Sequence, residues 1–240
     1  MGSILKSLIE FIFPPICSIC GRSFSSEKEI GICPHCLSQI KYIGSPLCSK
    51  CGKPFYSELP ADHLCGDCLT KKRYFNRARA VGYYDGILRK AIHLLKYKLN
   101  NNLAFPLGNL MVNRMQSFLS GAPYQLIIPV PLHPKRLRER GFNQALSLAR
   151  FISKKYNIPL DVYTLARRRQ TKPQVGLSKQ ERKDNVRGAF LLLKSDKVID
   201  KDILLVDDVY TSGNTVEECS KVLMKAGADR VDVLTLARVS

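Results

Sequence analysis

The spacing of apolar residues changes period along the chain, and each change marks an element. Ile4, Leu5, Leu8, Ile9 and Ile12 suit one face of a short helix. Ala78 to Tyr84 reads as a strand ended at Asp85-Gly86, and Leu88, Ile92, Leu95 and Leu99 then follow helical spacing. A second helix is predicted over Leu103 to Leu119, with Pro106 near its first turn, where proline is tolerated. Leu126 to Val130 is the next strand. A helix from Asn143 to Lys155 buries Ala145, Leu148, Ala149 and Ile152, and a short strand follows near Val162 to Leu165. Ile203 to Val206 is a continuous apolar run of the kind found in buried parallel strands. A helix from Asn214 to Lys225, Gly227 as its C-cap and a strand from Val231 to Leu236 complete the pattern. Strands alternating with helices predict an α/β domain with a mainly parallel sheet flanked by helices. Residues 167–188 carry no apolar period until their end. A long polar loop inside a compact domain is either functional or disordered, and the functional reading here is a lid able to fold over a bound phosphoribosyl donor.

The first 72 residues are different in kind. Eight of the nine Cys fall into Cys-x-x-Cys pairs: Cys17/Cys20, Cys33/Cys36, Cys48/Cys51 and Cys65/Cys68. Cys-Ser-Ile-Cys-Gly at 17–21 matches Cys-Ser-Lys-Cys-Gly at 48–52, which marks an internal duplication of a zinc-ribbon unit. Four thiolates at ~2.3 Å close a tetrahedral Zn²⁺ site and leave no place for substrate, so two structural Zn²⁺ are expected. Spacing alone permits pairing in sequence or a crossed arrangement of first with third and second with fourth. His35 and His63 are surplus to four-thiolate sites, and Cys219 reads as a small buried residue within a helix. The expected division is a helix and double zinc ribbon over 1–72 and an α/β domain over 73–240.

Charge adds a polyanion to the picture. The formal net charge is +18, and residues 133–187 hold 15 basic and four acidic residues, a net of +11. Such a cluster is a footprint for nucleic acid, pyrophosphate or an anionic membrane surface. The apolar stretch from Ile4 to Phe13 is too short to cross a bilayer, which takes ~20 residues. It is read as a helix docked on the protein, with peripheral contact at a membrane surface as the alternative.

Candidate chemistry sits where open α/β sheets bind ligands, beyond the carboxyl ends of strands. After Val206 come Asp207 and Asp208, then Thr211, Ser212, Gly213, Asn214 and Thr215 at the mouth of a helix. Backbone N–H groups and hydroxyls at such a turn cradle a phosphate. The two acids can hold ribose hydroxyls or Mg²⁺. This order resembles the phosphoribosyl pyrophosphate (PRPP) signature of type I phosphoribosyltransferases. A second anion site is expected after the strand at 126–130. There prolines stiffen a loop, and Lys135, Arg136 and Arg140 approach a helix capped by Asn143. Arg169, Thr171, Gln174 and Arg182 lie in the lid segment.

Taken together these segments closely resemble the ComF (competence protein F) family. The resemblance is carried by Phe13-Pro14-Pro15 leading into Cys17, the paired ribbons, Val130-Pro131-Leu132-His133-Pro134-Lys135-Arg136 and Arg140-Gly141-Phe142-Asn143-Gln144. Thr171-x-x-Gln174-x-x-Leu177, Arg182-x-x-Asn185-Val186, Gly188-Ala189-Phe190 and residues 203–215 extend it over nearly the whole chain. It implies a double zinc ribbon fused to a type I phosphoribosyltransferase-like domain. It also implies a cytoplasmic role in natural transformation, handling incoming single-stranded DNA beside a DNA-translocating helicase. Phe142, Tyr156, Tyr163, Tyr83 and Tyr84 are candidate stacking platforms for bases. The alternative is a working phosphoribosyltransferase that transfers from Mg²⁺-PRPP to a nitrogen acceptor. An adaptor role for the zinc module is the third reading.

Overall fold

The computed structural model describes residues 14–24, 31–55, 61–97, 103–171 and 178–240. The expected helix over 4–12, Leu99, Gln174 and the side chain of Arg182 lie outside them. In chain order the helices and strands are α1 (Pro34–Ser38), α2 (Gly66–Thr70), β1 (Ala78–Tyr83), α3 (Gly86–Tyr97), α4 (Ala104–Arg114), α5 (Gln116–Ser120), β2 (Leu126–Pro129), α6 (Pro134–Arg140), α7 (Gln144–Tyr156), β3 (Leu165–Arg167), α8 (Lys179–Val186), β4 (Phe190–Leu192), β5 (Asp202–Tyr210), α9 (Asn214–Lys225) and β6 (Arg230–Arg238).

Four strands form one parallel sheet in the order β1-β6-β5-β2. Ile203, Leu204, Leu205 and Val206 of β5 are fully buried, as their apolar run predicts. Each such side chain contributes roughly 1.5–3 kcal/mol on leaving water. Alternate residues face opposite ways along a strand. Ile127, Leu204, Val206, Leu234 and Leu236 therefore share one core with α3, α4 and α7. Leu126, Ile128, Ile203, Leu205, Val231 and Val233 share the other with α9. Cys219, on α9, is buried in the second core, as expected.

The zinc module is built into this architecture. Cys17, Cys33 and Cys36 pack into the first core, and Cys48, Cys51 and Cys65 into the second. Between the two halves, the segment around 41–50 runs along the edge strand β1. Ile43 N–H donates to Val81 O (3.1 Å), Tyr83 N–H to Lys41 O (2.9 Å) and Ala78 N–H to Lys50 O (2.8 Å). Pairing of this kind covers a strand edge that would otherwise stand open. The approach is close: a Cβ on Gly52, whose φ is +69°, would lie 2.5 Å from Ala78 O.

Several elements depart from the expected boundaries. The strand placed at 162–165 begins at Leu165, because Asp161 accepts from Tyr163 N–H (2.7 Å), Thr164 N–H (2.8 Å) and Thr164 Oγ1 (2.8 Å), turning the chain there. It then pairs antiparallel with β4, apart from the main sheet. The helix over 103–119 is two helices, broken where Met115 leaves helical geometry at φ −112°, ψ 22°. The proline-stiffened loop contains a helix, α6. The His133 ring nitrogen accepts from Lys135 N–H (3.3 Å), Pro134 starts it, and Gly141 N–H closes it on Leu137 O (2.8 Å). The lid segment contains α8.

Candidate functional site

Strand β5 does not stop at Val206. Asp207 pairs with Thr235 of β6, and pairing continues to Tyr210 opposite Arg238. The two acids therefore lie within the strand, paired to β6 beyond the last β2 pair at Pro129 and Val206. Asp208 is only 9% exposed. Its carboxylate meets Lys96 Nζ at 2.6 Å, an ion pair reaching across from the last turn of α3. Burial opposes the charge on Lys96, but the Asp208 and Asp207 carboxylates outweigh it and raise its pKa. Among the described residues Asp207 has no such partner at bonding distance. Burial, reinforced by the Asp208 charge, pushes its carboxyl up to about 7, against its bond from Asp208 N–H (2.9 Å) and the fields of Lys96 and Arg167.

The turn expected to cradle a phosphate follows directly. Gly213 takes φ +78° and caps α9, whose first turn has no side-chain cap. A Cβ at Gly213 would collide with the Tyr210 ring and hydroxyl, so only glycine fits here. Ser212 Oγ and Asn214 Nδ2 are buried without hydrogen-bond partners among the described residues. Buried orphans of this kind cost free energy unless something completes them, and both groups are donors of the kind that an anion's oxygens can satisfy. The adjacent Asp207 and Asp208 offer the hard oxygen donors that suit Mg²⁺.

Two arginines gather at Thr171, within the field of Asp207. Arg136 Nη2 donates to Thr171 O (3.4 Å), and an Arg167 guanidinium N–H bonds Thr171 Oγ1. Thr171 is buried, at 6% exposure. Arg167 lies over the Phe190 ring at 5.2 Å, and burial lowers its pKa in a field shared with Cys219, Arg136 and Asp207. Lys96 and Arg167 were not anticipated as site residues. Lys96 ends a helix far from the motif in sequence, and no local spacing connects it to Asp208.

In the zinc module the four-thiolate sets are Cys17, Cys20, Cys33, Cys36 and Cys48, Cys51, Cys65, Cys68, each with all ligand atoms within 4.8 Å of one another. Pairing is therefore sequential, and the crossed arrangement is excluded. Sulfur pairs stand 3.8 Å apart for Cys17–Cys36 and Cys20–Cys33, and 3.7 Å for Cys51–Cys65. A tetrahedron with Zn–S of ~2.3 Å has edges of ~3.8 Å, so the donors fit Zn²⁺. Equivalent bonds recur in the two halves: Cys33 N–H to Cys17 Sγ (3.3 Å) and Cys65 N–H to Cys48 Sγ (3.4 Å).

Residues 8–69 match the double zinc ribbon domain family and residues 143–240 the phosphoribosyl transferase domain family. The chain is 34% identical to DNA utilization protein YhgH of Escherichia coli (strain K12), over 93% of this chain and 90% of that protein. It is likewise 34% identical to competence protein F of Haemophilus influenzae, over 93% and 90%. The chain belongs to the ComF family. Competence protein ComFC of Streptococcus pneumoniae matches more locally, at 36% identity over 48% of each chain. Among solved structures, the glutamine phosphoribosylpyrophosphate amidotransferase of B. subtilis overlaps with a TM-score of 0.38 at 21% identity, over 56% of this chain and 26% of that one.

The remaining predicted residues of this ComF-family chain divide by what they touch. Asn143 caps α7 by accepting from Ala145 N–H (3.0 Å), as expected, and donates to Val130 O (3.0 Å), so its amide is already engaged. Arg140 donates to Gln144 Oε1 (3.1 Å), whereas Lys135 is exposed on α6. Arg169 turns away from the acids: its Nη2 donates to the carbonyls of Arg187 (2.9 Å), Asn185 (3.1 Å) and Asp184 (3.4 Å) at the end of α8. Of the five aromatic candidates, Phe142, Tyr156, Tyr83 and Tyr84 pack against cores, and Tyr163 stands 73% exposed. His35 and His63 lie outside both thiolate sets. No helix of the described residues is long and apolar enough to cross a membrane.

Proposed function

We propose that this ComF-family protein, whose relatives give it a competence-related role, binds Mg²⁺-PRPP at the carboxyl edge of its sheet. The observation that carries this reading is a strand running through Asp207 and Asp208 directly into a cradle with two orphaned buried donors, Ser212 Oγ and Asn214 Nδ2. The 5′-phosphate would sit in Thr211–Thr215, and the ribose hydroxyls against the two acids. The pyrophosphate would lie toward Arg136 and Arg167, with Lys135 and Arg140 on the surface beyond. Mg²⁺, held by Asp207 and Asp208, supplies charge neutralisation of the pyrophosphate when bound. Lys96 already supplies one positive charge to Asp208, so ligand binding competes with that ion pair. The strand and helix backbone that hold these groups are fixed, so the rearrangement asked for is that of the Lys96–Asp208 pair.

Asp207→Asn tests the site with the least collateral damage, because it keeps the shape and leaves the Lys96–Asp208 pair intact. Calorimetry should show Mg²⁺-PRPP affinity reduced at least tenfold. Unchanged affinity would overturn the assignment.

A second reading, single-stranded DNA handling in the cytoplasm beside a DNA-translocating helicase, is favoured by the +11 stretch and by Tyr163 exposed near it. Base stacking on an aromatic ring contributes ~1–3 kcal/mol per base. In anisotropy titrations with labelled single-stranded DNA, the logarithm of the binding constant should fall with the logarithm of salt concentration by ~0.7 per phosphate contacted. Absence of binding at low salt would remove this role.

A further inference from the structure

The two thiolate centres are alike internally but not in what they touch. The second one reaches the phosphate cradle along two separate routes. Arg238, at the end of β6 and 9% exposed, donates from Nη1 to Cys51 O (2.7 Å) and places Nη2 3.8 Å from Cys51 Sγ. The same guanidinium lies over the Tyr210 ring, 4.2 Å from its centroid. Tyr210 is the last residue of β5, and its ring is the wall against which Gly213 is packed. The other route starts at Cys68. Arg73 lies in the electrostatic field of that side chain, which with Glu217 raises its pKa, and extends Nη1 to within 3.8 Å of Glu217 Oε2. Glu217 lies in the first turn of α9, and its Oε1 accepts from Tyr74 N–H (2.9 Å). One route thus ends on the strand side of the cradle and the other on its helix side.

We propose that the second Cys₄ centre is a positioning element of the phosphate cradle. Arg238 and Arg73 transmit its geometry to Tyr210 and Glu217, so the turn 211–215 holds its shape only while that centre is intact. Both arginines are positioning residues. Neither need touch the ligand, because each acts through the ring or carboxylate that borders the turn. Zinc retention or thiol oxidation at one centre would then govern anion binding, and the other centre would leave it unaffected. The proposal rests on the anion-site reading for its purpose, but its geometry can be tested without PRPP.

The test is hydrogen–deuterium exchange of the full-length protein with no PRPP added, read over residues 209–217. Cys68→Ser should raise exchange there at least fivefold relative to the parent protein. Cys20→Ser, which disrupts the first centre, should leave it within twofold. Arg238→Gln should reproduce the Cys68→Ser pattern while retaining two equivalents of zinc by elemental analysis, and Arg238→Lys should recover part of the protection. If Arg238→Gln does not fold, the comparison of the two cysteine variants still decides. Equal exchange in both cysteine variants, or no change in either, would overturn the proposal. Where the parent protein also fails to bind Mg²⁺-PRPP, the ligand assignment falls and the exchange result stands on its own.

Discussion

Asp207 and Asp208 share a side chain and a strand, yet their surroundings divide their roles. Asp208 is neutralised by Lys96 at 2.6 Å. Asp207 is left with burial and a like charge, which together push its carboxyl up to about 7. That lies above the ordinary carboxylate value of about 4, so the folded chain binds this proton more tightly than the unfolded chain does. The stability it contributes is complete below about pH 4 and is lost as pH rises through about 7. Mg²⁺ needs the ionised form, so its affinity should move the opposite way. A group titrating near 7 predicts about a tenfold gain in Mg²⁺ affinity between about pH 6 and about pH 8. Asp207→Asn should flatten that dependence, and calorimetric Mg²⁺ titration at the two pH values checks it. The acids themselves were legible in the sequence because they directly follow a buried apolar run. Lys96 was not, because the ion pair exists only once α3 is laid across the end of β5.

At the scale of elements, the lid segment shows what periodicity leaves unread. Helix α8 is polar at every position but its last, the buried Val186, so it has no apolar stripe to reveal it. Its signature is at its ends. Ser178 N–H donates to Glu181 Oε2 (2.7 Å) and Glu181 N–H to Ser178 Oγ (3.3 Å), a reciprocal capping box. Arg169 closes the other end through three carbonyls. Stability here resides in these caps, so Ser178→Ala should cost the helix about 1 kcal/mol. Exchange protection over residues 179–186 should fall, with the thermal midpoint of the whole protein nearly unchanged. Helix α6 was legible in principle from Pro134 at its start and Gly141 just past its end, the asymmetry that marks short helices. The duplicated ribbons and α9 were read correctly because their signals are local: cysteine spacing and a clean apolar period. Strand β5 was read short because aspartates are poor strand formers, and its last residues owe their extension to β6.

The whole molecule is held together at the edge of its sheet. Strand β1 is the outermost member, and the zinc module supplies its missing neighbour. A fragment beginning at residue 73 would therefore expose an unpaired strand and the apolar side chains that now meet Cys17, Cys33 and Cys36 on one face and Cys48, Cys51 and Cys65 on the other. Such edges promote association with other chains. Size-exclusion chromatography should show the 73–240 fragment aggregated or self-associated, beyond the state of the full chain at the same concentration. A fragment eluting as a stable monomer would show that the sheet does not depend on its cover. Neither the edge pairing nor the division of the ribbons between two cores follows from composition or spacing, since both are settled by how the chain wraps.

The placement of the ribbons on opposite faces also bears on their descent. Cys-Ser-Ile-Cys-Gly and Cys-Ser-Lys-Cys-Gly read as two copies of one ancestral unit. Both glycines adopt positive φ, but a side chain at Gly21 would meet open space and one at Gly52 would strike the Ala78 carbonyl. Identical inherited letters have come under unequal obligations. The first copy answers chiefly to its own metal-binding geometry. The second answers also to a strand and an arginine from the other half of the chain, so the duplicates are no longer interchangeable.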